Sequence, residues 1–141
     1  MREVKRSALI NKAPAEVFAL INDIESYPQF LPWCTHARIE SRNGSGMVAP
    51  LGVREGALQG EFTTRNTLEP PRRIHMQLLT GPFRKLEGEW LLTPIDGGCR
   101  LELNMRFAFR NPLAGLLLEP KFAATIGSLV EAFAARARSQ R

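Results

Sequence analysis

The sequence predicts an α+β fold in which a curved antiparallel sheet wraps around one long C-terminal helix. Three observations carry that prediction. Apolar and polar residues alternate at period two through residues 35–109, turn signals cut that stretch into short segments, and an apolar stripe at helical spacing follows it. A sheet with one apolar face and a helix with one apolar stripe each bury what the other exposes, which is a two-layer solution. With 141 residues, the chain fits a single domain spanning residues 1–141 and large enough to enclose a core and a cavity.

The elements are justified in chain order. A first strand falls near residues 3–10. Pro14 suits the first turn of a helix and Glu16 favours its positive N-terminal end, while Val17, Phe18, Leu20, Ile21 and Ile24 repeat at near-helical spacing. Ser26-Tyr27-Pro28 ends that helix. Residues 26–34 form a compact apolar segment whose two prolines, Pro28 and Pro32, deny it a long helix or a central strand. The clearest strand covers residues 99–109, where Cys99, Leu101, Leu103, Met105, Phe107 and Phe109 alternate with Arg100, Glu102, Asn104, Arg106 and Ala108. Leu58, Gly60, Phe62 and Thr64 share one face of another strand, and Ile74, Met76 and Leu78 share one face of a third. Asn43-Gly44, Glu69-Pro70-Pro71, Gly81-Pro82 and Asp96-Gly97-Gly98 supply the turns of a meander. Asn111-Pro112 then caps and starts the long helix, and Pro120 is expected to kink or restart it. Phe122, Ile126, Leu129, Val130 and Phe133 make its apolar stripe.

Composition narrows the function classes. A net charge of +5 and a sequence pI near 9.9 favour an anionic partner such as RNA or a phospholipid surface. Cys34 and Cys99 lie too far apart in sequence to suggest a disulfide framework, and a reducing cytoplasm fits them. The apolar stretch after the N-terminal basic residues is too short for a secretion signal, and residues 113–118 are too few to span a bilayer. A soluble, cytoplasmic protein with transient membrane-surface contact is the expectation.

Candidate chemistry is sparse. Cys34, His36, His75 and Cys99 fit no zinc spacing, so no metal is expected. Asp23, Glu61, Glu87 and Glu89 sit in no catalytic motif, and neither a phosphate-cradling glycine loop nor a nucleophile elbow is present. No enzyme activity is expected. Basic residues cluster at Arg2, Lys5 and Arg6, at Arg72 and Arg73, at Arg84 and Lys85, and at Arg136, Arg138 and Arg141. Arg72, Arg73, Arg84 and Lys85 are the candidates for contacting nucleic-acid phosphates.

Four blocks carry a family resemblance: Ala13-Pro14-Ala15-Glu16-Val17-Phe18, Tyr27-Pro28-Gln29-Phe30-Leu31-Pro32-Trp33-Cys34, Phe62-Thr63-Thr64-Arg65-Asn66, and the run from Gly81-Pro82-Phe83-Arg84-Lys85 through Leu86-Glu87-Gly88-Glu89-Trp90. In this order they resemble the START-like, polyketide-cyclase-type superfamily, and within it the coenzyme Q-binding and ribosome-associated branch. Pro50, where a strand residue able to donate is expected, departs from the pattern and points to an edge or bulge. The resemblance implies a helix-grip (START/Bet v 1-like) fold with a tunnel between helix and sheet. It implies as ligand a ubiquinone-like polyprenyl quinone supporting respiratory electron transport, with no required cofactor. Its alternative is a toxin that binds the large ribosomal subunit and blocks subunit association, and a cyclase-like enzyme is third. The tunnel walls it implies comprise Phe30, Trp33, Phe62, Leu101, Leu103, Met105, Phe107, Ile126, Leu129, Val130 and Phe133. Tyr27, Phe30 and Trp33 would either gate the tunnel or pin their loop to the domain.

Overall fold

The computed structural model describes residues 1–140; Arg141 of the C-terminal basic cluster lies outside the described residues. Strand β1 (Arg2–Ile10) leads into helix α1 (Pro14–Asn22) and a 3-10 turn at Ile24–Gln29. Seven strands follow: β2 (Cys34–Ala37), β3 (Ser41–Asn43), β4 (Gly46–Glu55), β5 (Leu58–Glu69), β6 (Arg73–Thr80), β7 (Phe83–Ile95) and β8 (Gly98–Phe109). Helices α2 (Pro112–Gly127) and α3 (Leu129–Ser139) close the chain.

All strands join one antiparallel sheet in the order β1-β8-β7-β6-β5-β4-β2, with β3 lying beyond β2 along the same side of β4. The sheet curls into a half-barrel around the C-terminal helix, as the alternation predicts. On β8 the six alternating apolar residues are all buried while Arg100 and Arg106 are exposed. A register shift between Phe83 and Lys85 on β7 adds one residue, so Phe83 faces inward together with Leu86, Trp90 and Leu92 despite the odd spacing. Gly44 takes a φ of 59° in the β3–β4 turn, a conformation that glycine adopts without steric cost.

Pro50 lies inside β4, paired with Thr63 of β5, and not at an edge. Its carbonyl accepts from the Arg38 amide at 3.2 Å, so its missing donor points at β2. The pairing of β2 shifts register between Cys34 and Ala37 just there, which supplies the expected bulge on the partner strand.

The Asn111 side chain caps α2 by accepting from the amides of Leu113 (2.9 Å) and Ala114 (3.4 Å). Pro120 does not restart the helix: α2 runs through it, and the interruption falls at Ser128 instead. The carbonyl left without a donor by Pro120 belongs to Leu116, a solvent-exposed residue in reach of water, which lowers the cost of the proline. Phe122, Ile126, Leu129, Val130 and Phe133 are buried against the sheet. Each buried side chain of this size contributes roughly 1.5–3 kcal/mol.

Candidate ligand cavity

Between the sheet and the C-terminal helices lies one enclosed apolar cavity of about 50 Å³. Its walls come from four places. The 24–33 segment supplies Ile24, Tyr27 and Trp33; β4 and β5 supply Leu51, Phe62, Thr64 and Asn66; β6 to β8 supply Met76, Leu86, Trp90 and Met105; the helices supply Ile126, Leu129 and Phe133. Gly88, buried on β7, lies tight against β8: a Cβ there would come within 2.7 Å of the Met105 Sδ and of the Asn104 carbonyl.

Of the residues expected to wall a tunnel, Trp33, Phe62, Met105, Ile126, Leu129 and Phe133 border this cavity. Phe30, Leu101, Leu103, Phe107 and Val130 do not; Phe30 is half-buried, and the other four are fully buried in side-chain packing. Phe107 sits edge-on to Phe122 and Phe83 at 4.8 and 6.3 Å, part of an aromatic cluster that fills one end of the half-barrel. At the other end α3 packs on β8, and α1 packs on α3 and β7. The expected tunnel is therefore closed at both ends in this conformation.

Two polar residues break the apolar wall. Thr64 and Asn66 are both buried on β5, and the Thr64 hydroxyl donates to the Asn66 Oδ1 at 2.9 Å. That bond orients the amide, whose N–H donors meet no acceptor among the described residues. The alternation along β5 places Thr64 on the inner face, but nothing in it distinguishes a polar ligand contact from a tolerated core threonine. The Tyr27 hydroxyl is already committed, donating to the Ile21 carbonyl, and desolvation by burial pushes its phenol well above the usual range, aided by Cys34 and Asp23. No carboxylate, histidine, lysine or arginine borders the cavity among the described residues.

The 27–34 segment is tied down more firmly than its prolines suggest. The Leu31 amide donates to the Tyr27 carbonyl (2.9 Å), the Cys34 amide to the Leu31 carbonyl (3.0 Å), and the Arg54 amide to the Trp33 carbonyl (2.8 Å). Leu31, Trp33 and Cys34 are buried. Burial pushes the Cys34 thiol up to about 11, although a hydrogen bond with the His36 backbone works the other way. Phe30 is different: it is half-buried, rests edge-on against Phe133 at 5.2 Å, and carries the Arg136 guanidinium 5.0 Å above its ring.

Other titratable groups lie outside. His36 meets Glu61 at 2.6 Å on the exposed edge, and His75 and Arg106 flank Glu87 at 3.5 and 2.7 Å on the outer sheet face. Glu87 is lowered: desolvation works against that, but the hydrogen bond and charge of Arg106 prevail, with His75 and Lys85 adding to them. Among the described residues no three His, Cys, Asp or Glu side chains come together as a metal site. The four expected phosphate contacts do not form one patch. Arg72 and Arg73 stand at the start of β6, with Arg73 engaged by Glu69 and Glu89 at 2.7 Å each, whereas Arg84 and Lys85 follow the far end of that strand.

Comparison with known proteins agrees with this architecture. Residues 10–134 match the family model described as polyketide cyclase/dehydrase and lipid transport. The chain is 38% identical over 139 residues to the ribosome association toxin RatA of Escherichia coli (strain K12), covering 98% of this chain and 88% of that protein. It is 26% identical over 113 residues to the mitochondrial coenzyme Q-binding protein COQ10 of Drosophila melanogaster, covering 77% of this chain and 47% of that one. A START superfamily protein from Mycobacterium smegmatis superposes with a TM-score of 0.81 at 20% identity, over 96% of this chain and 97% of its own, which shows the shared fold. By sequence blocks, topology and family match, this chain belongs to the family described as polyketide cyclase/dehydrase and lipid transport.

Proposed function

We propose that the chain is a non-enzymatic binding protein that holds a hydrophobic, carbonyl-bearing small molecule, a polyprenyl quinone of the ubiquinone type, between its helix and its sheet. One observation carries the reading: an apolar wall broken by a single oriented polar pair, Thr64 and Asn66. Apolar contact gives affinity, roughly 25 cal/mol for each Å² removed from water before ordering costs, and a few placed donors give orientation. Among the described residues that wall carries no carboxylate, histidine or lysine, and its one phenol, Tyr27, is tied to the Ile21 carbonyl, which favours a binder over a cyclase.

A cavity of about 50 Å³ is far below the roughly 300–1,000 Å³ of drug-sized sites, so binding requires the wall to yield. Met76 and Met105 are flexible thioethers that repack at low cost. Phe30, held mainly by ring contacts with Phe133 and Arg136, is the part of the 27–34 segment freest to move. Mass spectrometry of organic extracts from protein purified from its own host tests the reading. A quinone recovered in stoichiometric amount is the expected result, and ligand-free protein that also fails to take up added quinone refutes it.

A second reading rests on a separate observation, the 38% identity to RatA across nearly the whole chain. In it the chain associates with the large ribosomal subunit in the cytoplasm through basic side chains. Cosedimentation with large subunits that weakens as salt rises supports this reading, and its absence at low salt removes it.

A further inference from the structure

Helix α2 is apolar on two sides. One side, with Gly115, Phe122 and Ile126, faces the core. The other is a solvent-facing stripe: Leu113, Leu116 and Leu117 are 74%, 76% and 78% exposed, and the spacing i, i+3, i+4, i+7 adds exposed Pro120 to the same face. Three adjacent leucines exposed to this degree need a partner.

The cations around the stripe indicate which one. Arg2, Arg84 and Arg110 line a cleft together with Leu116, Pro120 and Glu119. Among the described residues, no carboxylate comes within ion-pairing distance of any of these three arginines. On the outer sheet face Arg73, Arg100 and Arg106 each pair with a glutamate. Three arginines without a carboxylate partner among the described residues thus stand beside the exposed leucines.

From this juxtaposition we infer that the Leu113, Leu116 and Leu117 face docks on an anionic membrane surface, with the leucines at the headgroup–acyl boundary and Arg2, Arg84 and Arg110 against lipid phosphates. An RNA surface would match the arginines but leave the leucines in water, whereas an anionic bilayer matches both. The contact is interfacial and not spanning. Residues 112–139 are long and apolar enough to cross a bilayer, yet their Phe122, Ile126, Val130 and Phe133 side is committed to the sheet. Pro120 also leaves the Leu116 carbonyl without its helical donor, which suits the hydrated headgroup layer better than hydrocarbon. The inference is independent of what the cavity holds.

Flotation with phosphatidylcholine vesicles, with and without phosphatidylglycerol, tests it. The full chain floats with the anionic vesicles, less so at high salt, and much less with phosphatidylcholine alone. Leu113→Ser, Leu116→Ser and Leu117→Ser together reduce the bound fraction at least about tenfold without lowering the unfolding midpoint, because these side chains are already in water. Leu9→Ser, at a leucine 63% exposed elsewhere, and Arg100→Ser leave flotation unchanged. Failure of the wild-type chain to float with anionic vesicles overturns the inference, as does flotation of the triple variant at the wild-type level. Loss of large-subunit cosedimentation in the triple variant, with no vesicle binding by the wild type, assigns the patch to the ribosome instead.

Discussion

Thr64 donates a 2.9 Å hydrogen bond to Asn66 two residues along the same strand, and both side chains are buried at the wall of an apolar cavity. The threonine holds the amide still, and the amide N–H group is free to meet a ligand carbonyl. Asn66→Leu should therefore weaken binding of a quinone by about tenfold, the worth of one buried hydrogen bond, while leaving the affinity for a carbonyl-free polyprenyl hydrocarbon unchanged or higher. Trp33 and Trp90 both border the cavity, so quenching of their fluorescence reports both titrations. An equal loss for the two ligands means that Asn66 only shapes the wall.

Leu103 and Arg100 test the sheet's facing. Leu103 is wholly buried, whereas Arg100 is exposed and forms an ion pair with Glu102 at 2.9 Å. Leu103→Asp should cost several kcal/mol or prevent folding, and Arg100→Asp about 1 kcal/mol or less. Urea unfolding midpoints measure both. Comparable losses contradict the register.

Trp33 and Phe30 separate pinning from gating. Trp33 is 7% exposed and its carbonyl accepts from the Arg54 amide, so Trp33→Ala should cost roughly 3–5 kcal/mol. Phe30→Ala removes edge-on ring contacts near the surface, costs about 1 kcal/mol, and should speed quinone release in stopped flow. The reverse ranking, with Trp33 governing release and Phe30 governing stability, contradicts this division.

Alkaline pH should destabilise the fold. The Cys34 thiol is raised from 9.0 to about 11 in the folded chain by burial, so the unfolded chain loses its proton first. Stability from this group is complete below about pH 9 and is lost as pH climbs toward 11. Tyr27, raised from 10.0 to a higher value still, continues the loss with the same sign. Urea midpoints across that window should fall steadily, and Cys34→Ala should flatten the first part of the fall. An identical slope in Cys34→Ala assigns the effect elsewhere.

Much of this architecture is legible in the sequence because a one-sided sheet cannot hide its period. Six apolar residues at alternate positions on β8 name the inward face without a structure, and Asn111-Pro112 names the helix start. The cavity is less legible. Leu101 and Leu103 have the same pattern as Met105 and face the same way, but only Met105 borders open space, since that depends on α1 and α3 far away in sequence. The 113–118 run reads as too short to span a bilayer, and composition gives no hint that half of it points at water. Pro120 misleads for a related reason, because its cost depends on whether the orphaned carbonyl is solvated.

The two open sides of the sheet also bear on how the chain avoids self-association. A half-barrel retains a strand on each flank whose unpaired amides and carbonyls could recruit another molecule and begin a fibril. On the β1 flank, Arg138 of α3 donates to the Leu9 carbonyl at 3.1 Å, and Arg2, Glu3, Lys5 and Arg6 line the strand with charge. On the opposite flank, β2 and β3 are only four and three residues long, and the register shift facing Pro50 interrupts any continuous template. Shortening the C-terminal helix would therefore threaten colloidal behaviour before it threatened the core, because it would strip the guard from the longer of the two flanks.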